Sequence, residues 1–210
     1  LPQTIEASTF IADLGVNVHL NFAGTPYTNT AAVQTAMNYL GLNTMRDMGG
    51  QSASVYGTMA NAGYHFDFFA PSDPYALSPT GYAQWLDSFV KAHPGSVTSI
   101  EGANEVNNWP ITYNGSTSLA SEAAYQQAMF NAVNADPTIA NIPVFNLSIG
   151  SGSASAFTGL GNMASAVDYG TSHAYMSNGN QPHVQLSSLL SLAQNVTPGK
   201  PIAITESGYP

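Results

Sequence analysis

The sequence predicts an α/β fold, a (β/α)8 TIM barrel lacking its eighth strand within these 210 residues, and three observations carry that prediction. Strand-like and helix-like hydrophobic patterns alternate along the chain, and five of the seven strand patterns end in polar or charged groups. The turn after the first strand pattern, AGTPYTN, holds neither GxGxxG nor a P-loop, which disfavours an open nucleotide-binding sheet. Strict alternation implies parallel strands joined by right-handed crossovers.

Val16, Val18, Leu20 and Phe22 alternate with Asn17, His19 and Asn21. That period of two predicts a first strand and puts His19 on its polar, lumen-facing side. Ala32, Val33, Ala36, Met37 and Leu40 then recur at helical spacing until Gly41. Leu42 to Met48 reads as the second strand, Ser54 to Ala62 as a weak helix, and Tyr64 to Ala70 as the third strand. Tyr82, Trp85, Leu86, Phe89 and Val90 form the apolar stripe of the third helix, so Trp85 belongs to the core. Val97 to Asn104 is the fourth strand, Leu119 to Ala135 a helix, and Ile142 to Ile149 the fifth strand. A Gly/Ser-rich lead-in precedes a short helix near Phe157 to Ala166, followed by a sixth strand from Val167 to Tyr175. Leu186, Leu189, Leu190 and Ala193 mark a sixth helix before the last strand, Pro201 to Glu206.

Composition excludes several functions. Three cations against twelve acids, a formal charge of -9, cannot neutralise a phosphate backbone, so neither nucleic acid nor anionic membrane is an expected partner. Without cysteine there are no disulfides, thiolate metal sites or thiol nucleophiles. His65, His93 and His183 lack ligand spacing, and neither a metal nor another cofactor is expected. No uninterrupted apolar segment spans a bilayer. Charged residues are only 7% of the chain, and solubility must rest on Asn, Ser, Thr and Gln. That composition resembles secreted carbohydrate-handling proteins, and a secreted or periplasmic, bacterial location is the expectation. Asn114, Asn146 and Asn195 head N-glycosylation patterns short enough to arise by chance.

The strand ends collect the chemistry: His19 and Asn21 on the first, Arg46 and Asp47 on the second, Asn104 and Glu105 on the fourth, His173 and Tyr175 on the sixth, Glu206 on the seventh. Two glutamates at two strand ends suit glycosidic bond cleavage, which needs one protonated acid and one ionised carboxylate. Neutral Asn104, Asn107 and Asn108 would not hold Glu105 ionised, whereas Arg46 and Tyr175 could hold Glu206 so. Plainer readings stand beside these. The glutamates could be structural carboxylates, Arg46 could pair with its neighbour Asp47, and Trp109 could be a loop residue rather than part of the sugar cleft.

NEVN, with Glu101 four positions before Glu105, and ITESGY at the seventh strand resemble the clan A retaining glycoside hydrolases, most closely the family 39 type of β-xylosidases, iduronidases and exopolysaccharide endoglycosidases. The resemblance implies Glu105 as acid/base, Glu206 as nucleophile and Asn104 as the partner of the sugar 2-hydroxyl. It also implies that Arg46 and Tyr175 orient and ionise the nucleophile, while His19 and His173 line the sugar subsite. Val106 stands where the family has proline and Ala103 where it has a bulky residue, which leaves subfamily and substrate open. The expected function is retaining hydrolysis of a polysaccharide or oligosaccharide, possibly endo-acting. A non-catalytic glycan-binding barrel and an inverting hydrolase are the rivals. One catalytic domain over residues 1–210 is expected, completed by a further C-terminal strand and helix, because seven strands leave the first and last with an unpaired edge.

Overall fold

A computed structural model of the protein describes residues 4–51, 53–150 and 154–208. It is an α/β fold in which parallel strands β1 (Gly15–Asn17), β2 (Thr44–Met48), β3 (His65–Ala70), β4 (Val97–Ala103) and β5 (Val144–Phe145) lie side by side in chain order. A second parallel pair, β6 (Gly170–Tyr175) and β7 (Ile202–Gly208), continues the arc through the Phe145–Tyr169 bridge and the bond from Asn146 N to Tyr169 O. The arrangement is consistent with a partial TIM barrel. No strand ladder joins β1 to β7 among the described residues. A cavity of about 690 Å³ lies inside the arc, lined at this seam by Gly15, Val16 and Asn17 on one side and Ile202 to Thr205 on the other.

The helices alternate with the strands: α2 (Thr30–Leu40), α3 (Ala53–Asn61), α4 (Pro79–Ala92), α5 (Leu119–Asn134), α6 (Ala154–Leu160) and α7 (Pro182–Val196). Their ends follow local chemistry. Asn29, Ser78 and Ser118 cap α2, α4 and α5 by accepting first-turn amides, and Pro79 takes the first position of α4, where a missing N–H costs nothing. Gly41 ends α2 in the left-handed conformation at φ 70°. Phe66 and Phe68 from β3 pack with Tyr56, Trp85 and Phe89 in a cluster of stacked and edge-to-face rings, so Trp85 does serve the core.

Several elements depart from the sequence pattern. An additional helix α1 (Ala7–Ala12), exposed throughout, precedes β1. β1 ends at Asn17 rather than Phe22, although Val18 N still donates to Arg46 O. The Asp47 carboxylate then captures Leu20 N at 2.7 Å and draws the chain into a turn. β5 keeps only two ladder residues of the expected eight, because after Phe145 its amides go to Tyr169 on one side and Ala103 on the other. Gly161, at φ 72°, divides the expected 157–166 helix into α6 and a 3₁₀ turn at Ala164–Ala166. β6 begins at Gly170, since the Asp168 side chain instead accepts from Val144 N. Asn146 is only 4% exposed, which removes it as a glycan acceptor in the folded protein. The Gly/Ser-rich lead-in at 151–153 lies outside the described residues.

Candidate active site

The site grows around Arg46. The guanidinium is buried, and its five N–H donors are all used. Nε and Nη2 form a fork on Glu101 at 2.6 and 3.0 Å, Nη2 also reaches Asn104 Oδ1 at 2.8 Å, and Nη1 reaches Asn17 Oδ1 at 2.9 Å and Glu206 Oε1 at 2.7 Å. The Phe69 ring lies 4.5 Å below the guanidinium carbon. Arg46 therefore pairs with carboxylates on β4 and β7, not with Asp47, whose carboxyl points away and caps Leu20 and Met48 amides. Burial pushes Asp47 up to about 7.

Glu206 receives the Tyr175 hydroxyl on its other oxygen at 2.9 Å, and this bond, after burial, raises the phenol to about 12. A bulge aims it. The β6–β7 pairing runs from Ser172↔Ile204 to His173↔Glu206, skipping Thr205. Thr205 Oγ1 thereby reaches Glu101 at 3.2 Å while the next residue, Glu206, still meets Arg46.

Asn104 and Glu105 stand just past the end of β4, not on it, and Glu105 takes φ 45°. Such a left-handed angle on a residue with a long side chain needs support. Glu105 N donates to Ser148 Oγ at 2.9 Å, and its carbonyl accepts Asn108 N and Trp109 N, closing a tight turn. Gly150 makes room for the carboxylate, since a Cβ there would lie 2.8 Å from Glu105 Cδ.

Buried His173 directs Nδ1 at Glu105 Oε1, 2.9 Å away, with Glu206 Oε2 at 3.6 Å. This hydrogen bond, helped by Asn108 Nδ2 at 3.0 Å, holds the Glu105 carboxyl below its usual range although burial opposes it. The expectation that Glu105 would lack anything to keep it ionised is thus overturned, by a histidine 68 residues away and by one of the asparagines thought too neutral to matter.

His19 does not occupy a strand. It lies in the turn after β1, exposed, stacked on Phe22 at 4.6 Å and edge-on to Tyr27. Partial enclosure of its ring by the surrounding turn lowers its pKa, while Glu206 and Arg46 pull in opposite directions. Trp109 is 61% exposed beside the Glu105 turn. Its loop is held by Glu122, whose carboxylate accepts Ile111 N at 2.6 Å, and by Asp73, which accepts Thr112. Sequence reasoning gave no role in this network to Asn17, Glu101 or Thr205, although it noted Glu101 four positions before Glu105; the signal available was a charged residue inside an otherwise uncharged strand pattern.

Glu105, His173 and Glu206 each bring a carboxylate oxygen or ring nitrogen to within 4.8 Å of the others. The guanidinium 2.7 Å from Glu206 opposes a second cation there.

No protein-family model matches the chain, and no curated protein sequence does. Among solved structures, it is similar to a monomeric β-xylosidase from Caulobacter crescentus CB15, with a TM-score of 0.60 and 15% identity over 95% of this chain and 52% of that one. A rubisco-like protein from Alicyclobacillus acidocaldarius gives a TM-score of 0.48 at 12% identity, over 95% and 51%. The chain thus spans about half the length of the structures it matches, and the first likeness shows that its fold is of a glycosidase-like α/β type.

Proposed function

We propose that this protein is a retaining glycoside hydrolase acting on a polysaccharide or oligosaccharide outside the cell. The carrying observation is the approach of two carboxylates: one oxygen of Glu105 and one of Glu206 lie within 4.8 Å. An approach that close favours direct attack, for which carboxyls stand about 5–5.5 Å apart, over the ~6.5–9.5 Å spacing that admits an inverting water. Glu206, oriented by Arg46 and Tyr175, attacks the anomeric carbon while Glu105 gives its proton to the departing glycosidic oxygen; the C–O bond breaks and a glycosyl ester forms. Water then attacks the same carbon, Glu105 takes its proton, and Glu206 leaves as carboxylate.

Glu105 must start protonated. A sugar in the cleft displaces water from its open side and strengthens the burial that already pushes its carboxyl up, against the His173 and Asn108 bonds. Asn104 would meet the 2-hydroxyl, while His19, His173 and Trp109 would flank the sugar.

An activated 2-deoxy-2-fluoro glycoside tests the reading. Digestion and mass spectrometry should place one sugar on the peptide carrying Glu206, and released product should keep its anomeric configuration. Binding of glycans with no label and no product would make the protein a non-catalytic receptor; an inverted product would reassign Glu206.

A further inference from the structure

Glu101 is fully buried, four residues before Glu105, and too deep to touch a sugar held between the two outer carboxylates. It nonetheless commits both oxygens to the machinery. Oε2 takes Arg46 Nε at 2.6 Å, while Oε1 takes Arg46 Nη2 at 3.0 Å and the Thr205 hydroxyl at 3.2 Å. A single guanidinium thus serves an inner carboxylate, Glu101, and an outer one, Glu206. Whatever charge Glu101 neutralises is withheld from Glu206.

We propose that Glu101 is a positioning residue that divides the Arg46 charge, so that Glu206 is held in place as a carboxylate without being stabilised so strongly that it ceases to attack. This rests on Glu206 being the nucleophile. When Glu206 is esterified and its own charge is gone, Arg46 is left opposite Glu101 as a neutral, fully hydrogen-bonded pair, so the intermediate carries no uncompensated buried cation.

Removing the inner negative charge should leave more of Arg46 to Glu206 and lower the Glu206 pKa. The groups facing Glu206 are Arg46 from β2, Glu105 just past the end of β4, His173 and Tyr175 from β6, and His19 from the turn after β1, while Glu101 of β4 lies behind Arg46. Asp67 of β3 faces Arg46 and Glu101. It is buried, with Oδ1 unpartnered among the described residues, and burial followed by the Glu101 charge raises it to about 7. It would ionise in Glu101's place, so the comparison belongs in an Asp67→Asn background.

The experiment is a ¹³C-carboxyl NMR titration of Glu206, assigned by its loss in Glu206→Gln. Glu101→Gln should lower the Glu206 midpoint by about one pH unit. Thr205→Val, a change at an edge strand, should raise it by a few tenths, because Glu101 then turns its unshared oxygen to Arg46. In Arg46→Met, adding Glu101→Met should move Glu206 by less than a third of the shift seen with the arginine present. With activated substrates, Glu101→Gln should slow formation of the glycosyl-enzyme at least tenfold and leave its hydrolysis unchanged or faster. A folded Glu101→Gln protein with an unmoved Glu206 midpoint overturns the proposal, and so does an equal shift with and without Arg46. If the wild type hydrolyses no glycoside while the midpoints move as stated, the charge division stands and the glycosidase reading falls.

Discussion

Gly150→Ala probes whether the Glu105 carboxylate has to lie where the fold puts it. Gly150 lies outside the left-handed region, so alanine brings no backbone strain, and Asn107 pairs with both its N–H and its carbonyl and should hold the backbone in place. The new Cβ would lie 2.8 Å from Glu105 Cδ and 2.5 Å from Asn108 Nδ2. Ordinary carbon contact begins near ~3.4–3.5 Å, so the carboxylate must retreat by about 0.6 Å and surrender part of its bond to His173. A misplacement on the order of 1 Å at a catalytic group costs up to ~100-fold in rate, or about 2.7 kcal/mol of barrier, so a fall of roughly 10- to 100-fold in kcat/KM is expected. The loss should be greater with a natural glycan, which needs Glu105 to protonate its leaving group, than with an activated aryl glycoside, which scarcely does. Steady-state kinetics on both substrates, alongside a thermal melt within a few degrees of wild type, form the assay. Unchanged kinetics in a folded variant, or equal losses on both substrates, would refute the geometric reasoning.

Arg46→Met removes the cation at 2.7 Å from Glu206, so the acid limb of the pH–rate profile should rise by about one unit or more; it should also cost stability, on the order of 3–5 kcal/mol, by leaving Glu101 buried without its partner. Tyr175→Phe deletes a hydrogen bond that fixes where the Glu206 carboxylate lies, and the misplacement should lower kcat by roughly 10- to 100-fold with little change in KM. Asp47, Asp67 and Glu122 are all raised to about 7 by burial. A raised folded-state pKa means stability that is complete below the unfolded value near ~4 and lost as pH climbs through 7, so the melting temperature should be higher at pH 5 than at pH 8. Asp67→Asn, neutral at every pH, should flatten that difference in differential scanning calorimetry.

The helices were legible where the apolar period is clear, as in α4 with its Tyr82–Leu86–Phe89 stripe, and the Ser78 cap and Pro79 then fix where that helix begins. The strand ends were less so. Period two carried β1 on to Phe22, but an aspartate on the neighbouring strand intercepts the Leu20 amide, and no local pattern announces that. Arg46, Tyr175, His173 and both glutamates do converge, because alternation puts same-parity residues on one face and parallel strands bring their ends together. What could not be read was the wiring. His173 chooses Glu105 over Glu206 by 0.7 Å, the difference between 2.9 and 3.6 Å, and the Thr205 bulge exists only in the pairing of β6 with β7.

That wiring explains how Glu206 can be placed accurately on a strand so weakly enclosed. Among the described residues β7 has a ladder only with β6, and Ile204 on it is 44% exposed. On its other side, toward β1, the bond between the two strands is a side-chain one, Asn17 Nδ2 to Thr205 O at 3.2 Å. A ladder fixes a strand by repetition, whereas a few polar side chains fix it only if each is itself anchored. Here they are: Asn17 answers to Arg46, Arg46 to Glu101 and Asn104, and Glu101 back to Thr205, so the cycle closes within two residues of the carboxylate it serves. The same groups that set the charge on Glu206 therefore also set its position, and a change to any one of them should move both together.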